Sequence, residues 1–252
     1  MKSKSIQFKG ALGETLAGRV DMPEENDRGI CALFAHCFTC SKNLKAVAHI
    51  TKALADKGIT TLRFDFTGLG QSEGEFANTN FSSNVDDLVA AAQFMEEEIQ
   101  GPALIIGHSL GGAAVIHAAH KIDSVKAVAT IGAPADPDHV THNFGAKLEE
   151  IESTGEATVT LAGRQFKIKK QFLDDLEEAS MQNRVESINR ALLIMHSPID
   201  NTVGIENAAK LYKNAKHPKS YVSLHEADHL LTSETYSKYA ASIIAEWSTV
   251  YI

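Results

Sequence analysis

The sequence predicts a doubly wound α/β fold: a mostly parallel sheet with helices on both faces and an inserted cap of helices and a β-hairpin. Three observations carry that expectation. Short apolar runs of strand type alternate with stretches of helical spacing from Ile30 to Ile131, and such alternation implies parallel strands joined by crossover helices. The pattern stops between Ala135 and about Ser187, where the chain turns polar and charged, and resumes at Ala191. Within the first part, Gly107-His108-Ser109-Leu110-Gly111 stands where an apolar run ends and a run of small, helix-compatible residues begins.

Ile6 to Phe8 and Leu16 to Val20 read as an opening hairpin, followed by a polar loop from Pro23 to Gly29. Ile30 to Ala35 is a continuous apolar run, the pattern of a strand buried on both faces. It ends in His36-Cys37-Phe38-Thr39-Cys40, and Ser41 is placed to cap a helix whose apolar positions are Leu44, Val47, Ile50 and Leu54. Gly58 ends that helix, and Ile59 to Phe64 is the next strand. Asp65 to Ser72 is a turn-rich loop, with Asp65 and Ser72 read as structural. Phe81 to Asn84 leads into a helix over Val85 to Ile99, then a strand over Ala103 to Ile106 and a helix after Ser109. Val125 to Ile131 is a strand closed by Gly132-Ala133-Pro134.

The domain division expected from this pattern is a core in two parts, residues 1–134 and 188–252, with a cap from 135 to 187. The cap reads as a helix over His142 to Glu152, a hairpin of Ala157 to Leu161 and Gln165 to Ile168, and a helix over Gln171 to Ala179. An irregular surface excursion is the alternative, but some fifty residues of mixed structure are too many for a plain loop. The core resumes with a strand over Ala191 to His196, a helix over Gly204 to Tyr212, a strand over Lys219 to Leu224 and a closing helix from Ser233 to Tyr251.

Composition limits the function classes. The 252 residues suffice for one large domain, and 44% hydrophobic with 22% charged residues is ordinary for a globular protein. A formal charge of −8 argues against nucleic acid and against anionic membrane as partners. The first eight residues hold no apolar core of a signal peptide, and no apolar run approaches the ~18 residues of a membrane span; a cytoplasmic location is the expectation. The three cysteines, Cys31, Cys37 and Cys40, are an odd set crowded into one strand and its turn, with no second ligand pair following. Neither a disulfide framework nor a metal site is expected, and reduced thiols are.

A G-x-S-x-G stretch between strand and helix is a nucleophile elbow, with the serine hydroxyl exposed on a sharp turn. The flanking glycines are expected where a Cβ would collide with neighbouring strands. A serine hydroxyl needs a base within hydrogen-bond reach, and the base needs a carboxylate to fix its tautomer. The elbow therefore calls for an acid after a late strand and a histidine after the last one. Asp200 follows the Ala191–His196 run, and His229 follows the last strand, in the order Ser, Asp, His. Asp228 is the rival acid, although a sequence neighbour seldom points at the ring it must orient. The backbone N–H of Leu110, just past the nucleophile, and that of Phe38, in the loop after the Ile30–Ala35 strand, are the candidate oxyanion donors.

The elbow, the His36 loop, Asp200 and His229 together resemble the α/β-hydrolases across nearly the whole chain. The His36-to-Thr39 loop and the Asp65-to-Ser72 turn are similar to the carboxylesterase branch that includes cinnamoyl and feruloyl esterases. His36 to Lys42, Asn78 to Asn84 and His196 to Asp200 resemble most closely the hydrolase half of bacterial α/β-hydrolase–OsmC fusion proteins. The resemblance implies a serine esterase of small carboxylic esters, working through an acyl-enzyme without metal or organic cofactor. In that group the hydrolase is fused to an OsmC-like domain, which these residues do not include, so a stand-alone relative and one half of a fusion both stay open. Cys37 departs from the family, which has glycine there. A thioesterase or peptidase with the same triad, and a non-catalytic binding module on the same fold, stay open as alternatives.

Overall fold

The computed structural model describes all residues except Phe38, Ala162, Ser180 and the side chain of Gln182. The opening hairpin is β1 (Lys2–Lys9) and β2 (Thr15–Met22). Then come β3 (Ile30–Ala35), α1 (Lys45–Asp56), β4 (Ile59–Phe64), α2 (Phe81–Glu98), β5 (Leu104–His108), α3 (Leu110–Ala118) and β6 (Ala127–Ile131). After an inserted segment, the chain returns with β9 (Ala191–His196), α7 (Glu206–Asn214), β10 (Lys219–Ser223) and α8 (Glu234–Ser248). Among the described residues no helix is long and apolar enough to cross a membrane.

These strands form one eight-stranded sheet in the order β1-β2-β4-β3-β5-β6-β9-β10. The first two join the sheet antiparallel, and every pairing from β4 to β10 is parallel. The expected doubly wound, mostly parallel architecture is what the chain adopts. Alternation inside the apolar runs divides the core: Leu104 and Ile106 of β5 face one side with Val47 and Ile50 of α1 and Ile244 of α8. Ile105 faces the other with Leu88 of α2 and Val115 of α3. Because β3 lies between β4 and β5, the chain reverses its direction of travel across the sheet there. The carboxyl ends of β3 and β5 flank that reversal, which is where open sheets of this kind carry their sites.

The inserted segment holds a 3-10 stretch (Pro137–Phe144), α4 (Lys147–Thr154), the hairpin β7 (Glu156–Leu161) and β8 (Arg164–Lys169), α5 (Lys170–Glu178) and α6 (Met181–Glu186). Three local expectations need correction. The helix expected over His142 to Glu152 is broken at Gly145 and Ala146 into the 3-10 stretch and α4. The helix α2 starts at Phe81, because Asn80 and Ser83 form a reciprocal capping box: Asn80 Oδ1 accepts from Ser83 N at 2.8 Å and Ser83 Oγ accepts from Asn80 N at 2.9 Å. Ser41 caps nothing, since α1 begins only at Lys45 and Leu44 occupies the cap position without a side-chain bond.

A buried ionic cluster ties the antiparallel edge to the parallel sheet. Asp21 of β2 is fully buried and accepts from Arg63 Nε of β4 at 2.8 Å, Thr51 Oγ1 of α1 at 2.7 Å and Ser3 Oγ of β1 at 2.5 Å. Burial works to raise its pKa, but these hydrogen bonds and the guanidinium charge outweigh it and hold the carboxyl below the ordinary range. A depressed folded-state pKa contributes stability that is full above the unfolded value and is lost as pH falls through the folded one. The stability difference between wild type and Asp21→Asn is therefore expected to be largest at neutral pH and to shrink as pH drops below about 4. Thermal unfolding of both proteins from pH 7 to pH 3 measures it.

Candidate active site

The elbow is where β5 gives way to α3. Ser109 occupies the helix N-cap with φ 56° and ψ −129°, a strained backbone for a residue with a Cβ. The two motif glycines permit it. A Cβ on Gly107 would lie 2.3 Å from the carbonyl oxygen of Gly111, and one on Gly111 would lie 2.5 Å from that of His36. The collision expected against a neighbouring strand thus holds for Gly111, whereas Gly107 is pressed against the first turn of α3. Leu110 is the first helical residue, so its N–H has no intrahelical carbonyl to bond.

Ser109, Asp200 and His229 come together from the ends of three strands. His229 Nε2 lies 3.0 Å from Ser109 Oγ, and His229 Nδ1 lies 2.7 Å from Asp200 Oδ2. The carboxylate can only accept, so Nδ1 carries the proton and Nε2 is free to take one from the serine hydroxyl. Asp200 Oδ1 also accepts the backbone N–H groups of Thr202 and Val203, each at 2.9 Å. Burial opposes its ionisation, but the bond from His229 and the two backbone donors outweigh that, and its pKa is lowered. Asp228 turns away from the ring and binds Thr232, through the backbone N–H at 2.7 Å and the hydroxyl at 2.5 Å.

A cavity of about 300 Å³ opens at Ser109. Its described walls include Leu110 from the elbow, Cys37, Thr39 and Cys40 from the loop after β3, and His139, Val140, Asn143 and Leu161 from the inserted segment. No lysine, arginine, aspartate or glutamate lines it among the described residues. Phe38, the second candidate oxyanion donor, lies outside the described residues. Among the described residues no histidine, cysteine or carboxylate cluster could hold a metal ion.

Comparison with known proteins agrees with this fold. Residues 40–165 match the family model for serine aminopeptidase, S33 (Hydrolase_4), half of the chain. The chain belongs to this family. A crystal structure of the esterase domain from a Rhodothermus marinus protein is 49% identical, with a TM-score of 0.82, over 100% of this chain and 99% of that one. The structure of Est1E from Butyrivibrio proteoclasticus with ferulic acid bound shares the fold, with a TM-score of 0.77 at 20% identity, over 98% of each chain. Mouse mitochondrial palmitoyl-protein thioesterase ABHD10 is 25% identical over 74% of this chain, and the match spans 64% of that protein's length.

The loop after β3 departs most from expectation. Cys37 and Cys40 form a disulfide, where reduced thiols were expected. The reason is local: Cys40 N donates to Cys37 O at 3.1 Å, and this turn brings the two Cα atoms to 5.4 Å, within the span a disulfide bridges. An odd cysteine count excludes a full framework but not one short-range pair. Cys31 stays free in β3, and burial, with the charge of Asp27 adding to it, pushes its thiol up to about 11.

The same loop is anchored by a buried ion pair that sequence reasoning did not find. Lys42 is buried, and its Nζ lies 2.5 Å from Asp65 Oδ2, with its backbone N–H 2.6 Å from Asp65 Oδ1. Gln71 N donates to the same carboxylate at 2.9 Å, and Arg63 Nη1 donates to the carbonyl of Lys42. The loop is thus held from below by the turn after β4. Nothing distinguishes Lys42 from any surface lysine in the sequence; only the turn's acidic residue gave a signal.

Two predictions test this loop. Alkylation of the denatured protein without reductant should label Cys31 alone, and after reduction all three cysteines, as read by intact mass. Lys42→Met leaves Asp65 buried without its cation, and should cost about 3–5 kcal/mol. In thermal unfolding, that is a Tm lower by roughly 10 °C.

Proposed function

We propose that this hydrolase cleaves small, neutral carboxylic esters through an acyl-enzyme. The observation that carries the reading is the hydrogen-bonded chain from Ser109 through His229 to Asp200, with Nε2 open toward the serine and the carboxylate behind the ring. Ser109 Oγ attacks the ester carbonyl while His229 Nε2 takes its proton. Asp200 holds the imidazole in the right tautomer and stabilises the imidazolium. The N–H of Leu110, with that of Phe38 as its partner, receives the developing oxyanion. His229 returns the proton to the departing alcohol, and water then releases the acid by the same steps.

The cavity supports this substrate class. Its size is at the small end of ligand pockets, which favours a short acyl or compact aryl-acyl group. Residues from the inserted segment bound it on one side, and we assign that segment, 135–187, the role of a size-limiting cap. A peptide's amino terminus would need a carboxylate to receive it, and the described lining holds none; this argues for esters over peptides. The high identity to a protein described as an esterase domain supports the same choice. A thioester is the second reading, favoured by the likeness to a palmitoyl-protein thioesterase, although a long acyl chain fits this cavity poorly.

The test is a series of p-nitrophenyl esters of rising acyl length, methyl ferulate and matched thioesters, with wild type and Ser109→Ala in parallel. Ester turnover that falls beyond short chains, and that drops at least about 10⁴-fold in Ser109→Ala, is expected. Turnover that survives in Ser109→Ala overturns the mechanism, and faster cleavage of thioesters than of esters moves the substrate class.

A further inference from the structure

The strands that lead into the nucleophile and acid loops both end in a buried histidine. His108 is the last residue of β5 and His196 the last of β9. Neither touches the cavity described above. His108 Nε2 lies 2.6 Å from the main-chain carbonyl oxygen of His229, and the two rings stand 5.1 Å apart. His196 Nε2 lies 2.8 Å from the carbonyl oxygen of Val203. A carbonyl only accepts, so each Nε2 carries the proton and donates it. Burial, reinforced by the neighbouring His229, pushes the His108 imidazole down to about 3, so it is neutral at working pH.

Each bond fixes a loop at the residue that matters. The loop that carries His229 is largely exposed from His225 to Leu230, anchored before His229 by Ala227, which packs into the core, and by Ser197 Oγ, which donates to the His225 carbonyl at 3.5 Å. The His108 bond pins it at the carbonyl of His229 itself. The Asp200 loop closes on itself through the carboxylate's bonds to Thr202 N and Val203 N, and His196 pins the far side of that turn. His196 Nε2 is also 3.7 Å from Asp200 Oδ2, too far to hydrogen-bond it.

We propose that His108 and His196 are positioning residues of the hydrolysis: their Nε2–H bonds to the carbonyls of His229 and Val203 hold base and acid in register with Ser109. This rests on the Ser109–His229–Asp200 reading. Hydrogen-bonded distances of 2.7 and 3.0 Å across the site leave little room for a loop that drifts. A displacement of ~1 Å can cost about 10²-fold in rate.

The decisive experiment compares His108→Leu and His108→Asn, which remove the donor, with His108→Gln, whose amide nitrogen reaches the Nε2 position. Three readouts are taken on folded protein: kcat and KM for a short p-nitrophenyl ester, the labelling rate of Ser109 by a fluorophosphonate, and the far-downfield proton NMR resonance of the His229 Nδ1–H bound to Asp200. In the Leu and Asn variants kcat should fall about 10²-fold with KM nearly unchanged. The resonance should shift or broaden, and Gln should recover at least tenfold of the loss. A His196→Leu and His196→Gln pair should behave the same way. An unchanged resonance and kcat in His108→Asn overturn the proposal, and so does a Gln variant no better than Leu, which would reduce the histidine to a packing role. The resonance needs no substrate, so it judges positioning even if the wild type proves to prefer another ester; loss of the triad reading itself would show instead as turnover by Ser109→Ala.

Discussion

The architecture depends on how closely three backbones approach one another at Ser109. The end of β3, the end of β5 and the first turn of α3 meet there with no room for a Cβ at Gly107 or Gly111. Ser109 itself takes a positive φ, a conformation that costs about 1–3 kcal/mol for a residue with a side chain. The rest of the domain has to hold that strain, and the apolar layers on both faces of β5 do so, with Leu104, Ile105 and Ile106 fully buried. The same approach places the loop after β3 beside Ser109, since a side chain on Gly111 would push the His36 carbonyl, and the loop with it, away from the site.

That loop is then fixed from three directions. The Cys37–Cys40 disulfide closes it, the Lys42–Asp65 pair holds its base, and Arg164 of the inserted hairpin donates to the carbonyl of Thr39 from above. Coulomb attraction in such buried pairs is largely offset by desolvation, so their net stability is small. Their effect is selective instead: any arrangement that parts Lys42 from Asp65 strands a buried charge. Arg63 links this pair to Asp21 through the Lys42 carbonyl, so the sheet's antiparallel edge and the loop beside Ser109 share one network.

Periodicity and order made the frame and the three central residues legible. A strand-to-helix G-x-S-x-G, an acid after a late strand and a histidine after the last one are features of chain order, and chain order survives folding unchanged. What was not legible depends on tertiary contact or on short-range geometry. Lys42 is an ordinary lysine until Asp65 is folded beneath it. The Cys37–Cys40 pair needed the turn between them, and α6, six residues long, is too short for a helical period to register. His108 and His196 did leave a trace, a histidine at the end of each of two buried apolar runs, but their partners are main-chain carbonyls that no side-chain pattern reveals.

The sheet also explains why the site needs a bare position between its halves. Ser109 follows β5, Asp200 follows β9 and His229 follows β10, and β6 runs between the first two. Strands spaced about 4.8 Å apart put β5 and β10 roughly 14 Å from each other, so the His229 loop must lean back across the ends of β9 and β6 to reach the serine. The residue that follows β6 lies directly under that crossing. It is Gly132, with φ 56°, and a Cβ there would stand 3.2 Å from Asp200 Oδ2 and 3.5 Å from His229 Nδ1. A side chain at that point would meet both partners of the hydrogen bond between His229 and Asp200. The positive φ and the 3.2 Å approach to Asp200 therefore both favour glycine where the backbone after β6 turns beneath the site, a looser constraint than the backbone contacts at Gly107 and Gly111.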